Sequence, residues 1–174
     1  SEQISLAGKE ASGTSNMKFM LNGAITLGTL DGANVEISQR VGKDNIFIFG
    51  LTADEVEREW KNGYNASGIY SSDATIRRIV DELRRGFAGQ RFADIADYLV
   101  VGTNYVADPY MCLRDFGDYM RAASDIDAAY ADVERWNRMA LVNISRAGIF
   151  AADRSIDEYA KNIWHIKPVG TGKK

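Results

Sequence analysis

Apolar and polar positions alternate in short blocks over the first fifty residues. Residues 4–6 (Ile-Ser-Leu) predict a short buried strand, and a loop with glycines then leads into a predicted helix over residues 15–21. Two further apolar runs, residues 24–30 and 46–49, predict strands with a short helix between them. Continuous apolar strands separated by helices are typical of a parallel sheet covered on both faces.

After residue 50 the apolar pattern takes a helical period. Thr52 and Glu55 have the spacing of a capping box, which predicts that a helix begins there. Apolar side chains three and four positions apart predict two more helices, around residues 76–83 and 92–99. This part of the chain is therefore expected to be mostly α-helical.

The last third contains one further apolar run and several helix signals. Residues 110–113 predict a final strand, and residues 116–130 predict a helix. Asp132 is placed to cap the next helix, and Ser155 with Glu158 has the spacing of a second capping box.

These patterns together predict the α/β class: parallel strands with flanking helices, followed by a mostly helical C-terminal region. We expect one domain over residues 1–168 and a flexible tail over residues 169–174. The chain begins without methionine and within a predicted strand, so we expect it to be cut from a longer protein.

Composition removes several classes of function. The 174 residues have 45% hydrophobic content and a formal net charge of −3 with both signs scattered, so no nucleic-acid partner is expected. No apolar run is long enough to span a membrane, and no membrane association is expected. A lone histidine, His165, and a lone cysteine, Cys112, predict no metal site and no internal disulfide, and Cys112 is expected to be an inert buried thiol. A reducing, cytoplasmic location is expected.

The loop that precedes the first predicted helix has the residues best suited to bind a ligand. Gly13 permits a tight turn, so that the amides of Thr14, Ser15 and Asn16 lie at a helix start where no intrahelical acceptor reaches them. Such amides bind anions. Lys18 follows about one turn later, as an amine that could bind another part of the same small molecule. On spacing alone, a solvated surface lysine remains the alternative.

The string of residues 10–24, EASGTSNMKFMLNGA, resembles the cofactor-lysine signature of the α-glucan phosphorylases, which act on glycogen, starch and maltodextrin. The resemblance continues through residues 30–37, 63–65 and 136–139 and covers nearly the whole chain apart from the tail. It implies that the chain is the C-terminal portion of a cofactor-binding, Rossmann-like domain of the glycosyltransferase-B type.

The resemblance also implies an activity and a cofactor. The family's reaction is attack of inorganic phosphate on the terminal glucose of an α-1,4-glucan, which gives glucose 1-phosphate with retained configuration. By this likeness Lys18 is the catalytic lysine that holds pyridoxal 5'-phosphate as a Schiff base, and the amides of Thr14 and Ser15 bind the cofactor phosphate. In this family the phosphate group of the cofactor exchanges a proton with the substrate phosphate.

Substrate contacts are implied for the residues just before these. Glu10 and the backbone at Ser12 and Gly13 would contact hydroxyl groups of the glucosyl unit. Ser15 stands where the family more often has glycine, so its role requires a local φ that serine accepts.

Much of such an active site lies outside this sequence. The family's further phosphate and sugar contacts come from upstream segments, so the isolated chain is expected to be inactive. A truncated sheet should expose apolar edges and faces, so the isolated chain is also expected to self-associate, and the parent enzyme is expected to be a homo-oligomer. The alternative is a stand-alone, non-catalytic α/β module that keeps the fold as a binding or interaction surface.

Overall fold

A computed structural model describes residues 1–102 and 106–167 of the chain. Three two-residue strands, β1 (Glu2–Gln3), β2 (Leu27–Gly28) and β3 (Phe47–Ile48), form one sheet in the order β1-β2-β3. Both pairings are parallel, with Glu2 opposite Leu27 and Leu27 opposite Phe47. The predicted α/β class with a small parallel sheet is confirmed, although the strands are shorter than the apolar runs that indicated them.

The first strand lies two residues earlier than predicted. Residues 4–6 are outside the sheet, and Ile4 is 58% exposed. The physical reason is a competing set of hydrogen bonds: the Ser5 amide donates to Thr29 Oγ1 at 3.2 Å, and the Ser5 hydroxyl donates to Asp31 Oδ2 at 2.8 Å. Side-chain acceptors thus replace the backbone ladder at this point, and the prediction of a buried strand at 4–6 is wrong.

Helices make up most of the described chain. They are α1 (Ser15–Leu21), α2 (Ala33–Val41), α3 (Ala53–Lys61), α4 (Ala66–Ser72), α5 (Ala74–Arg85), α6 (Ala93–Val100), α7 (Cys112–Ala131), α8 (Val133–Arg146) and α9 (Ala152–Tyr159). Short 3-10 turns occupy Lys43–Asn45 and Ala147–Phe150, and a π-helical turn, Ala160–Trp164, extends α9. Not one of these helices has both the length and the apolar character that a membrane span requires.

Two of the predicted helix caps are confirmed. Thr52 Oγ1 accepts from the Glu55 amide at 3.4 Å while the Thr52 amide donates to Glu55 Oε2 at 2.8 Å, which is the reciprocal pattern of a capping box. At the start of α8, Asp132 Oδ1 accepts from the Arg135 amide at 3.0 Å.

The strand predicted over residues 110–113 is not present, because this segment begins α7. The buried carboxylate of Asp108 accepts from the amides of Cys112 and Leu113, each at 2.8 Å, and so satisfies donors at the helix start. Its second oxygen also accepts from the Tyr64 hydroxyl at 2.7 Å, which fixes the chain entering α7 against the segment between α3 and α4. The local hydrogen bonds therefore favour a helix over a strand.

Cys112 is exposed, which contradicts the expectation of a buried thiol. Partial desolvation of the sulfur and the neighbouring Asp108 carboxylate raise the pKa of the Cys112 thiol to about 11. The thiol is therefore protonated at neutral pH despite its exposure.

The second predicted capping box is also wrong. Helix α9 begins at Ala152, so Ser155 lies inside it and caps nothing. Two contacts of Arg154 explain why the predicted capping box is absent. Its Nε donates to the Ile149 carbonyl at 2.6 Å, and its Nη1 pairs with Glu158. The Glu158 carboxylate is therefore paired with an arginine and not with a backbone amide at the helix start.

Apolar side chains cover both faces of the sheet. One face packs against α7 and α8 through Ile25, Leu27, Phe47, Phe49, Ala122, Ala129 and Met139. The other packs against α1, α2 and the end of α8 through Met20, Ile37, Val41, Ile46 and Ala147. A separate cluster joins α4, α5, α6 and the start of α7, through Ala66, Ile76, Val80, Ala96, Val100 and Leu113. The predicted domain boundary at residue 168 and the tail fall outside the described residues.

Candidate functional site

The candidate site lies at the carboxyl end of the sheet. The loop of residues 8–14, here called the glycine loop, follows β1, and the turn of residues 29–32 follows β2. Because the strands are parallel, the two segments leave the same edge of the sheet, which is where open α/β sheets bind their ligands.

Asp31 connects these two segments. Its carboxylate accepts four hydrogen bonds: Oδ1 from the Gly8 amide at 2.9 Å, and Oδ2 from the Glu10 amide at 2.7 Å, the Ser5 hydroxyl at 2.8 Å and the Lys9 amide at 3.2 Å. Burial of the carboxylate opposes ionisation, but the hydrogen bonds from Glu10, Gly8, Ser5 and Lys9 outweigh it and lower the pKa of Asp31. The first half of the glycine loop is therefore held by one ionised side chain.

Gly32 brings the turn into direct contact with the loop. The Ala33 amide donates to the Ser12 carbonyl at 2.6 Å, and Gly32 has a φ of +49°. A Cβ at Gly32 would lie 2.5 Å from the Ser12 carbonyl oxygen and 2.8 Å from Glu10 Cγ. Only glycine leaves room for this approach.

A buried pair of amides holds the other end of the loop, where α1 begins. Asn16 Nδ2 donates to Asn34 Oδ1 at 3.1 Å, and both side chains are 3% exposed. Asn34 Nδ2 in turn donates to the carbonyls of Thr29 at 3.0 Å and Gln3 at 3.3 Å. The starts of α1 and α2 are thereby fixed to each other and to the ends of β1 and β2.

The expected anion site has the required backbone geometry. Gly13 has a φ of +88°, and the cap residue Thr14 makes no side-chain bond to the helix start. Within the described residues no hydrogen bond engages the amides of Thr14, Ser15 or Asn16. Ser15 is not among the described residues with positive φ, so serine takes this position without strain. Three adjacent amides are thus free to bind an anion.

Lys18 and Glu10 are both exposed on the surface that carries these amides. Across the part of the chain that the structure describes, no ion pair or hydrogen bond involves Lys18 Nζ. Glu10 Oε1 accepts from the Ser12 amide at 3.2 Å, and the Ser12 carbonyl already accepts from Ala33. The backbone of Ser12 is therefore used within the protein, whereas the Gly13 amide has no acceptor among the described residues.

A cavity of about 350 Å³ opens beside the glycine loop. Its lining includes Ser12 and Met17 from the loop and α1, Gly32 and Arg40 from the turn and α2, and Arg154 from α9. The loop therefore borders a half-open space whose lining carries both signs of charge, from Glu36, Arg40 and Arg154.

The structure places no metal-binding group here. Residues 1–102 and 106–167 contain no cluster of three or more His, Cys, Asp or Glu side chains that could hold a metal ion. His165 lies at the end of the π-helical turn, where its Nδ1 is 2.9 Å from the Lys161 carbonyl oxygen.

Sequence reasoning did not single out Asp31 and Asn34 as parts of the site. Both occur in the string of residues 30–37 that carries part of the family resemblance, and Asp31-Gly32 has the composition of a turn. The turn signal could have pointed to Gly32, but the hydrogen bonds to the glycine loop span more than twenty residues of sequence.

The fold and the site define a class: a parallel α/β protein in which a glycine loop leads into a helix start whose amides no described residue engages, with a lysine about one turn after the loop. The family is defined by comparison with known proteins. A model of the family described as "Carbohydrate phosphorylase" matches residues 1–166, and the chain belongs to that family.

Curated relatives agree with this assignment. The chain is 48% identical over 170 residues to a glycogen phosphorylase of Synechocystis sp., which covers 97% of this chain and 20% of the relative. It is 47% identical over 172 residues to one from Haemophilus influenzae, with 99% and 21% covered, and 43% identical over 172 residues to the muscle form from Ovis aries, with 97% and 20% covered. The chain thus spans about a fifth of the length of these relatives.

Proposed function

We propose that this chain is the cofactor-anchoring part of an α-glucan phosphorylase of the glycogen, starch or maltodextrin type. The parent enzyme cleaves the terminal α-1,4-linked glucose of a glucan with inorganic phosphate and releases glucose 1-phosphate with retained configuration. The observation that carries the proposal is the position of Lys18 one turn after three unengaged amides, within a chain that belongs to the carbohydrate phosphorylase family.

The residues at the helix start suit pyridoxal 5'-phosphate. Lys18 Nζ is exposed and unengaged by the described residues, so it is available for covalent attachment of the cofactor. The amides of Thr14 and Ser15 suit its phosphate group, because fixed N–H donors stabilise anionic oxygens without reorganising. When bound, the cofactor supplies a phosphate group that can exchange a proton with the substrate phosphate.

The neighbouring loop residues suit the glucosyl unit. Glu10 is exposed, and a carboxylate forms strong hydrogen bonds with sugar hydroxyls. The Gly13 amide adds a hydrogen-bond donor that no described residue engages. The Ser12 backbone is occupied by Glu10 and Ala33, so we limit its part to shaping the loop.

We further propose that residues 1–168 are the C-terminal portion of a Rossmann-like domain of the glycosyltransferase-B type, and that residues 169–174 form a tail. We also propose that the rest of the site lies in the part of the parent that corresponds to the relatives' remaining four fifths, and that the chain alone is therefore inactive. We place the parent in the cytoplasm as a homo-oligomer.

Exposed apolar side chains support the expectation that the isolated chain self-associates. They cluster along the last helical segment at Ile156, Tyr159, Ile163, Trp164 and Ile166. Light scattering at increasing protein concentration should show a rising mass, and a constant monomer mass would contradict this expectation.

Two experiments test the proposed function. In the first, the chain is incubated with pyridoxal 5'-phosphate and reduced with borohydride, and the adduct is mapped by mass spectrometry; we expect label at Lys18. Lys9, an exposed lysine in the glycine loop, is the matched control. The variant Lys18→Arg should lose the site-specific label, and Lys9→Arg should keep it. Equal labelling of both lysines would contradict a preformed cofactor site.

The second experiment uses a full-length chimera, in which this chain replaces the homologous fifth of the Synechocystis enzyme. We expect the chimera to release glucose 1-phosphate from glycogen and phosphate, and its Lys18→Arg variant to have lost that activity. A folded chimera without activity would contradict the proposed function and favour a non-catalytic module.

A further inference from the structure

We propose that Asp31 is a positioning residue for glucosyl recognition: it fixes the backbone that presents Glu10, whereas the cofactor helix α1 is held separately by Asn34. This inference rests on the proposed function. It assigns Asp31, in the turn after β2, to the glucosyl unit and Asn34, at the start of α2, to the cofactor.

Four hydrogen-bond donors meet the carboxylate of Asp31. Three of them converge on Oδ2, from Ser5, Lys9 and Glu10, and the Gly8 amide meets Oδ1. An ionised carboxylate is acceptor-only, so it can take all four bonds without presenting a donor of its own. Asparagine has the same shape but would turn an NH₂ group toward one of these two sets of donors.

These hydrogen bonds hold the chain from Ser5 to Glu10. The four donors lie in residues 5–10, and the last of them is the amide of Glu10 itself. Gly32 confines the opposite side of the loop, because a Cβ added at this position would meet Glu10 Cγ and the Ser12 carbonyl oxygen. Asp31 therefore holds the Glu10 amide, and Gly32 confines the Glu10 side chain; both residues belong to the same turn.

Helix α1 is held independently of Asp31. None of the hydrogen bonds that Asp31 accepts comes from residues 14–21. Helix α1 is held instead by the Asn16 to Asn34 bond and by the fully buried side chain of Met20. A change at Asp31 should consequently move Glu10 while it leaves the cofactor lysine in place.

The ionisation of Asp31 agrees with this role. The hydrogen bonds lower the pKa of the Asp31 carboxyl although burial opposes them. The carboxylate therefore keeps its four bonds over the whole range in which a phosphorylase would be assayed.

The test uses the full-length chimera with Asp31→Asn. We expect the KM for glucose 1-phosphate to rise at least tenfold while one cofactor per chain is retained. In hydrogen–deuterium exchange, the peptide covering residues 4–13 should exchange at least tenfold faster, and the peptide covering α1 should not change. Unchanged KM and unchanged exchange would overturn the proposal, and so would loss of the cofactor together with the rise in KM.

Asp73→Asn is the matched control, because Asp73 is also a carboxylate that accepts backbone amides, from Thr75 and Ile76 at the start of α5. It should leave KM unchanged, which separates positioning of the sugar from a general loss of stability. If Asp31→Asn does not fold, Ser5→Ala removes one of the four donors while the other three remain, and we expect about a threefold rise in KM, which corresponds to the low end of what one ordinary hydrogen bond contributes in proteins. An unchanged KM in that variant would overturn the proposal.

The two proposals can fail separately. A chimera that shows no phosphorolysis contradicts the proposed function, whereas the exchange of residues 4–13 in Asp31→Asn still reports whether Asp31 holds the loop. An active chimera whose Asp31→Asn variant has a normal KM contradicts only the role of Asp31.

Discussion

Replacing Asn34 by alanine should measure how strongly helix α1 is fixed to the sheet. The substitution removes the acceptor for Asn16 Nδ2 and the donor for the Thr29 carbonyl, both in a buried environment. It also removes a longer bond, 3.3 Å, to the partly buried carbonyl of Gln3. One buried donor, Asn16 Nδ2, is therefore left without a partner, whereas the Thr29 carbonyl keeps a second donor, the Asp31 amide at 2.9 Å.

The magnitude follows from the cost of such groups. A buried donor or acceptor that loses its partner costs about 1–3 kcal/mol, so Asn34→Ala, which orphans one such donor, should lower the free energy of unfolding by about 2 kcal/mol. The third bond adds little because its acceptor is closer to solvent. A loss of this size is a large part of the stability of a domain of this length.

Urea unfolding of the 174-residue chain at neutral pH measures this loss. Asn65→Ala is the control: Asn65 caps α4 on the surface through one bond from the Gly68 amide at 2.9 Å, and its removal should cost about 1 kcal/mol. If Asn34→Ala costs no more than Asn65→Ala, the buried amide pair does not fix α1, and the reasoning is refuted.

Three further predictions follow from other features. The pKa of Asp31 is lowered in the folded chain, so the stability that its ionised carboxylate contributes is present above about pH 4 and is lost as the pH falls through the lowered pKa. The difference in urea midpoint between the unmodified chain and Asp31→Asn should therefore narrow below about pH 4. A difference that stays constant with pH would contradict this prediction. With a pKa of about 11, Cys112 should react with a disulfide reagent at pH 7.5 about 20-fold more slowly than free cysteine, despite its exposure, and equal rates would contradict the pKa. Gly86→Ala places a Cβ 2.2 Å from the Gln90 carbonyl, whereas Gly42→Ala meets nothing within 4 Å at a similar positive φ; thermal unfolding should show that Gly86→Ala costs at least about 2 kcal/mol more, and equal losses would contradict the contact.

Local sequence signals were sufficient where the physical cause is also local. The predicted bounds of α1 match those observed, because the Gly13 turn and the Asn22-Gly23 stop are adjacent to the helix they delimit. The capping box at Thr52 likewise consists of residues three positions apart. In both cases the deciding interactions lie within the segment itself.

Sequence signals failed where a distant or unexpected side chain took over the backbone. Ser5 leaves the predicted strand because its partners, Thr29 and Asp31, lie more than twenty residues away. The segment after Pro109 becomes helical because Asp108 satisfies the amides that a strand would have needed. The residue types alone favoured β structure in both places.

The candidate site was predictable in part for the same reason. The string around Lys18 identified the residues that line the loop, since the family signature is contiguous in sequence. It could not show that the Ser12 carbonyl is already engaged by the Ala33 amide, or that Asp31 and Asn34 hold the loop, because those bonds depend on the tertiary approach of β1 and β2.

The separate apolar cluster of α4, α5 and α6 has a consequence for the dynamics of the chain. Its buried members come from these helices and the start of α7, and none comes from the sheet. A segment with its own core can open as a cooperative unit while the rest stays folded, so amides of α5 should share one opening free energy that differs from that of β2. Transient opening of this lobe would then leave the glycine loop and α1 intact, and proteolytic nicking between α5 and α6 should be compatible with retained labelling of Lys18.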